Sequence, residues 1–265
     1  MNRIRLSALV PLLMVAGGLA AARADTNKPP IVLVHGAWET SSIWDGVAVK
    51  LKHDGYSVQV VTLPGRPGNP MPADQVSMDS YRNAIVAAIA NDREPVVLVG
   101  HSFAGFPISA VAEAEPGKIR TLVYLAAYLP QDGQSLLGVA TNDKGSKAGP
   151  AVQIDKDNGI STIAPDARAG LFANDAPPEV RAMVASAIVP EPLAPLATPV
   201  HLTAKFARVD KVYIHTARDQ VVSPELQAAM VAAMPVRKQQ TLDTGHTPFV
   251  TDPNGVAAAI EASIG

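Results

Sequence analysis

A serine hydroxyl is a poor nucleophile unless a base takes its proton and donors meet the oxyanion that forms. Ser102 stands where both could be arranged. It lies in Pro95 to Gly105, PVVLVGHSFAG, a β-branched apolar run followed by a change of period. Beyond the serine, Phe103, Phe106, Ala110, Val111 and Ala114 recur at intervals of three and four, which predicts a helix. Ser102 therefore sits on a strand-to-helix turn, with Gly100 two before it and Ala104 two after. Such a turn is so tight that the side chains flanking the serine must be small, and it lifts Oγ above the sheet edge. Ala104 stands where the G-x-S-x-G pattern has its second glycine, and Gly105 follows.

The base should be a histidine at the carboxyl end of a later strand, and His246 in DTGHTP meets that requirement. The acid that orients it should lie between the two in sequence. Asp219, three residues beyond Thr216, fits; Asp243 on the histidine's own loop and Asp210 before the strand are the rivals. Two backbone N–H groups would hold the oxyanion, from Phe103 after the nucleophile and from Ala37 in the loop after the first strand. Gly36 lets backbone approach a substrate, and Trp38 and Tyr128 stand at strand ends that could line a pocket, although burial alone would explain either. His35 and His101 are tied to sheet positions and read as structural, and His53 ends a helix. His201 and His215 lack a partner at ligand spacing, so no metal site is expected, nor any cofactor.

These positions need a scaffold, and the pattern supplies an α/β one. Ile31 to Val34, Tyr56 to Leu63, Val96 to Val99, Ile119 to Ala127, Lys211 to Thr216 and Val236 to Leu242 predict about six strands. Helices are expected from Ser41 or Ser42 to His53, Ser77 to Asn91, Pro224 to Met234 and Pro253 to Ile264. The alternation implies a mostly parallel sheet with helices on both faces and ligands at the strands' carboxyl ends. From about 130 to 208 the pattern breaks down, with one helix expected at Pro178 to Ile188. This stretch reads as a cap inserted over the site, because so long a structureless loop is unusual in a compact domain.

Composition narrows the function classes. Among 265 residues there is no cysteine, which excludes disulfides, thiolate metal sites and a cysteine nucleophile. Arg3 and Arg5, an apolar stretch from Leu6 to Leu19 and Ala22-Arg23-Ala24 read as a secretory signal over residues 1–24, leaving one domain at 25–265. Cleavage would remove three arginines, leaving 19 basic residues against 24 acidic and a formal charge of −5. That balance, with aromatics at 5%, argues against a nucleic-acid partner. The expected location is periplasmic or secreted, without a stable membrane anchor after cleavage, and a homodimer stays open.

Five segments carry a family resemblance: VLVHGAW at 32–38, VGHSFAG at 99–105, LVYLAAYLP at 122–130, IHTARDQVVSP at 214–224 and DTGHTPFVTDP at 243–253. Together they resemble the α/β-hydrolases that include plant methyl-ester esterases, hydroxynitrile lyases and bacterial pyrethroid-type carboxylesterases. The lyases carry a threonine and a lysine where Gly36 and Thr247 stand here, so the resemblance implies an esterase. It implies hydrolysis of small carboxylic esters through an acyl-enzyme, with Ser102, His246 and Asp219 as triad. A lactonase, thioesterase or amidase on the same site, a cofactor-free oxygenase or perhydrolase, and a ligand-binding protein with little turnover are the alternatives.

Overall fold

Apolar runs too short for helices and flanked by turn residues become the strands of one central sheet. The computed structural model describes residues 28–264; the signal-peptide reading of 1–24 lies outside the described residues. In chain order the first half runs β1 (Ile31–Val34), a 3₁₀ turn at Ser41–Trp44, α1 (Asp45–His53), β2 (Val58–Val61) and α2 (Met78–Ile89). There follow β3 (Val96–His101), α3 (Gly105–Ala114) and β4 (Ile119–Leu125). An insertion then carries α4 (Leu136–Ala140), β5 (Val152–Asp155), β6 (Ile160–Ile163) and α5 (Pro165–Phe172). It continues through α6 (Pro178–Ala187), β7 (Glu191–Pro192), α7 (Leu193–Ala197) and α8 (Ala204–Arg208). The frame resumes with β8 (Lys211–Thr216), α9 (Pro224–Ala233), β9 (Lys238–Leu242), α10 (Pro248–Thr251) and α11 (Pro253–Ile264).

The sheet has the order β2-β1-β3-β4-β8-β9, and every pairing is parallel. This is the expected α/β-hydrolase fold: six strands with helices on both faces. Alternation along β1 divides the core. Ile31 and Leu33 join Trp44, Val47 and Leu51 before and within α1, and Val256 and Ile260 of α11, on one face. Val32 and Val34 face the larger cluster, with Tyr81 and Ile85 of α2, Phe106 of α3, and Leu136, Phe172 and Leu196 from the insertion. Every residue of β3 is buried, as befits a strand covered on both sides.

Ser77 starts α2 with a reciprocal capping box, its Oγ accepting from Ser80 N–H while Ser80 Oγ accepts from Ser77 N–H. The expected serine cap near residue 41 is corrected: Thr40 occupies the cap position without a side-chain bond to a backbone N–H of the turn, and the chain enters α1 through the 3₁₀ turn. The strand expected over Tyr56 to Leu63 shortens to β2, and β4 stops at Leu125, because Ala126 turns to a positive φ of 46°. The insertion is richer than its one expected helix. The helix at Pro178 is present, but α4, α7 and α8 have five residues each, and β5 to β7 form a small antiparallel sheet of their own. Elements of one turn or four residues leave too few positions for a period to register.

Candidate active site

The turn after β3 has the geometry its sequence demands. Ser102 has φ of 54°, a left-handed conformation rare for a side-chain-bearing residue. A Cβ on Gly100 would come within 2.8 Å of Ile108 Cδ1 and 3.1 Å of the Ala104 carbonyl. Ala104 itself is accommodated. The stricter demand falls one residue later: a Cβ on Gly105 would stand 1.8 Å from Tyr128 O, because the chain leaving β4 crosses the start of α3 at that point.

Three side chains from three strand ends meet here. His246 Nε2 lies 3.0 Å from Ser102 Oγ, and His246 Nδ1 lies 2.8 Å from Asp219 Oδ2. A carboxylate only accepts, so Nδ1 carries the proton and Nε2 is left to accept from the serine hydroxyl. Asp219 is held from all sides. Its Oδ1 accepts from Val221 and Val222 N–H at 2.7 and 3.0 Å, and its Oδ2 also accepts from Thr216 Oγ1 and Gln227 Nε2. His246 and Asp219 are buried, and Ser102 is 6% exposed. Of the rival acids, Asp243 is 85% exposed beside Arg218, and Asp210 pairs with Arg237 and Thr121 before β8. Neither bonds to His246.

Two other histidines, His101 and His35, hold the scaffold. His101 donates from Nε2 to the His246 carbonyl at 2.8 Å and sits 2.9 Å from Glu39 through Nδ1. Burial, the largest influence, acts to lower its pKa, yet the Glu39 charge and hydrogen bond, the His246 carbonyl and the Asp219 charge together outweigh it and the net shift is upward. Burial pushes Glu39 up in turn, but the His101 charge and its hydrogen bond leave its pKa below the ordinary carboxylate value. The two form a buried ion pair directly under His246. His35 donates from Nδ1 to Gly36 O and accepts Leu63 N–H on Nε2, joining the ends of β1 and β2. Burial foremost, with the nearby Arg66 charge, lowers its pKa from 6.5 to about 4, so it is neutral.

Ala37 and Phe103 line one cavity with Ser102, and among the described residues neither N–H has an acceptor. The cavity has a volume of about 250 Å³. Trp38 and Tyr128 line it too, facing Leu136, Leu137, Val152 and Leu196 of the insertion, and among the described residues no charged side chain lines it. Gly36 is not in the lining. Its Cα packs against Ser102, with space for a Cβ only 2.9 Å from Ser102 Cβ, and its N–H donates to Glu39 Oε2. Among the described residues, no group of three or more His, Cys, Asp or Glu could hold a metal ion.

Sequence reasoning missed Glu39, Gln227, Phe172 and Glu191. Phe172 lies edge-on to both Trp38 and His246. Glu191 is fully buried and accepts Tyr81 OH at 2.7 Å, Trp38 N–H at 3.1 Å and the Arg66 guanidinium. Flanked by prolines in VPEP, Glu191 carried no signal of burial. An acid next to HGAW could have drawn notice to Glu39, because a charge at a strand's carboxyl end beside a candidate nucleophile needs a partner.

Known proteins share this arrangement of elements. A putative chloroplastic methylesterase 13 of Arabidopsis thaliana is 28% identical over 245 residues, 85% of this chain. The chain spans about half of that relative's length, 54%. A pyrethroid hydrolase of Sphingobium wenxiniae is 26% identical over 239 residues, covering 87% of this chain and 85% of its own. In the solved structures, polyneuridine aldehyde esterase superposes with a TM-score of 0.78 at 22% identity, over 89% of this chain and 98% of that one, a likeness of fold. The resemblance carried by the five sequence segments holds across the frame. The sequence profile of the alpha/beta hydrolase family matches residues 31–259, nearly all of the described chain, and the protein belongs to that family.

Proposed function

We propose that the protein is a serine carboxylesterase acting on small, uncharged, largely apolar esters. One observation carries the reading: Ser102, which lines an apolar cavity, stands at the end of a continuous hydrogen-bonded line through His246 to Asp219. In this reading Ser102 attacks the ester carbonyl as His246 Nε2 takes its proton. The Ala37 and Phe103 N–H groups receive the oxyanion, and Asp219 steadies the imidazolium. Collapse of the tetrahedral intermediate expels the alcohol with the proton from His246 and leaves an acyl-enzyme. Water, deprotonated by the same histidine, then releases the acid.

The cavity's lining supports the substrate class. With Leu136, Leu137, Val152 and Leu196 opposite the serine and no lysine or arginine among the lining residues, a carboxylate on the substrate would be desolvated without a partner. The names of the plant and bacterial relatives, methylesterase and pyrethroid hydrolase, agree with ester hydrolysis. The insertion serves as the cap that shapes this cavity. The basic start, apolar stretch and A-x-A site over 1–24 support export to the periplasm or beyond.

Hydrolysis of p-nitrophenyl esters from acetate to decanoate, by residues 25–265 beside the Ser102→Ala variant, tests the reading. A chain-length optimum is expected, with turnover falling about 10⁴-fold or more in the variant. Equal rates in the two proteins would overturn it.

A further inference from the structure

The segment Gly36-Ala37-Trp38 is gripped on both sides of its middle residue. Gly36 N–H donates to Glu39 Oε2 at 2.7 Å, and Trp38 N–H donates to Glu191 Oε2 at 3.1 Å. The N–H between them, that of Ala37, is left without an acceptor among the described residues and borders the cavity beside Ser102. Each carboxylate has a cation of its own: His101 for Glu39, Arg66 for Glu191. Neither therefore brings an uncompensated negative charge to the place where an oxyanion would form.

The two grips differ in origin. Glu39 belongs to the same loop, whereas Glu191 comes from β7, 153 residues away. Around Trp38 two further bonds come from the insertion and one from Arg66 in the loop after β2. Val189 N–H donates to Trp38 O at 2.9 Å, the indole N–H donates to Ser161 Oγ at 3.2 Å, and Arg66 Nε donates to Glu39 O at 2.9 Å. Trp38 has φ of 60°, a conformation that a side-chain-bearing residue holds only when its surroundings over-determine it. Resting on the esterase reading above, we infer that Glu191 is a positioning residue: by accepting Trp38 N–H it aims the Ala37 N–H at the oxyanion, so the insertion completes the catalytic site.

Mutating Glu191 alone would leave Arg66 buried and unpaired, a fault of charge and not of aim. Two double variants separate the effects. Glu191→Gln with Arg66→Met removes both charges but keeps an amide oxygen able to accept Trp38 N–H. Glu191→Ala with Arg66→Met removes the charges and the acceptor. The first serves as the reference for the second, since both pairs also lose the Arg66 Nε bond to Glu39 O. The second is expected to lose about 10- to 100-fold in kcat relative to the first, with KM little changed, since misplacement near 1 Å can cost about 10² in rate. Affinity for a trifluoromethyl ketone, which forms a tetrahedral adduct on the serine, should fall by a similar factor between the two. Hydrogen exchange of Ala37 and Trp38 amides, read without any substrate, should quicken at least about tenfold in the alanine pair relative to the glutamine pair. Matching exchange in two folded variants, or quickened exchange with equal kcat and inhibitor affinity, would overturn the inference. A wild type that neither turns over esters nor is labelled at Ser102 by a fluorophosphonate would instead sink the esterase reading, and exchange alone would still judge the grip of Glu191 on Trp38.

Discussion

His35 holds the ends of two strands through one neutral ring, and that choice of protonation state has a consequence for stability. Its Nε2 accepts Leu63 N–H, so a second proton there would remove a buried acceptor. In the unfolded chain His35 takes up a proton near pH 6.5, whereas in the folded protein it does so only near about 4. Between those values the unfolded state binds more protons, and stability falls as pH falls, by about 1.4 kcal/mol per unit and about 3 kcal/mol in all. His101 has the opposite sign, its folded pKa being raised; its contribution is complete below 6.5 and is lost as pH rises through the folded value. Glu39, with a lowered pKa, contributes above its ordinary value of 4.5 and loses that contribution only as pH falls further. The window from 6.5 to 4.5 is thus left to His35 among these three. Urea unfolding of wild type and His35→Gln at pH 7.5, 6.5, 5.5 and 4.5 should give a shallower acid slope in the variant. Parallel slopes would mean that the ring is protonated in the fold.

At the scale of elements, what was legible in the sequence follows from how many residues each element offers to a pattern. β3, α3, β8 and α11 are long or apolar enough to read directly; the serine follows β3 and the acid follows β8, while the histidine follows β9, the last strand of the sheet. The loop of Gly36 to Trp38 could be placed for the same reason, since it follows β1. The partners that hold it could not be placed: Glu191 and Arg66 lie in proline-rich stretches that look solvent-exposed, and burial of charge in such loops leaves no periodic trace. The elbow shows a subtler case. Its small-residue rule was applied at Gly100 and Ala104, yet the tightest contact falls on Gly105, against a carbonyl from the end of another strand. Gly105 has a helical φ of −54°, so space and not conformation excludes a side chain. Gly105→Ala should therefore destabilise the fold by about 3 kcal/mol or more, since a backbone carbonyl cannot rotate away as a side chain would. Ala104→Gly, which adds freedom to the unfolded chain and removes one buried methyl, should cost about 1–2 kcal/mol. Chemical denaturation of the pair checks the ordering, and equal losses would show that α3 can slide away from Tyr128.

Over the whole molecule the question is whether the insertion and the sheet are one cooperative unit. The insertion is poorly equipped to stand alone. Three of its helices have five residues, well short of the ~12–15 that an isolated helix needs, and its strands have two to four. Its apolar residues, Leu136, Ile163, Phe172, Val184 and Leu196, belong to the same cluster as Phe103, Phe106 and Tyr128 of the frame. The Arg66–Glu191 pair and the Asp143 carboxylate, which accepts Ser223 N–H and hydroxyl, pin it at two further places. The chain supplies a convenient reporter, since it has two tryptophans: Trp44 lies in the cluster on the far face of the sheet, and Trp38 is wedged at the junction. Trp44→Phe leaves Trp38 as the sole indole and also removes a buried N–H that has no acceptor among the described residues. In that variant, tryptophan fluorescence and far-ultraviolet circular dichroism should trace one coincident transition in urea. A fluorescence change at lower urea than the loss of helix would mean that the insertion lifts before the sheet melts. The oxyanion loop would then lose its grip from Glu191 while Ser102, His246 and Asp219 were still assembled, and ester turnover should fail at the lower midpoint.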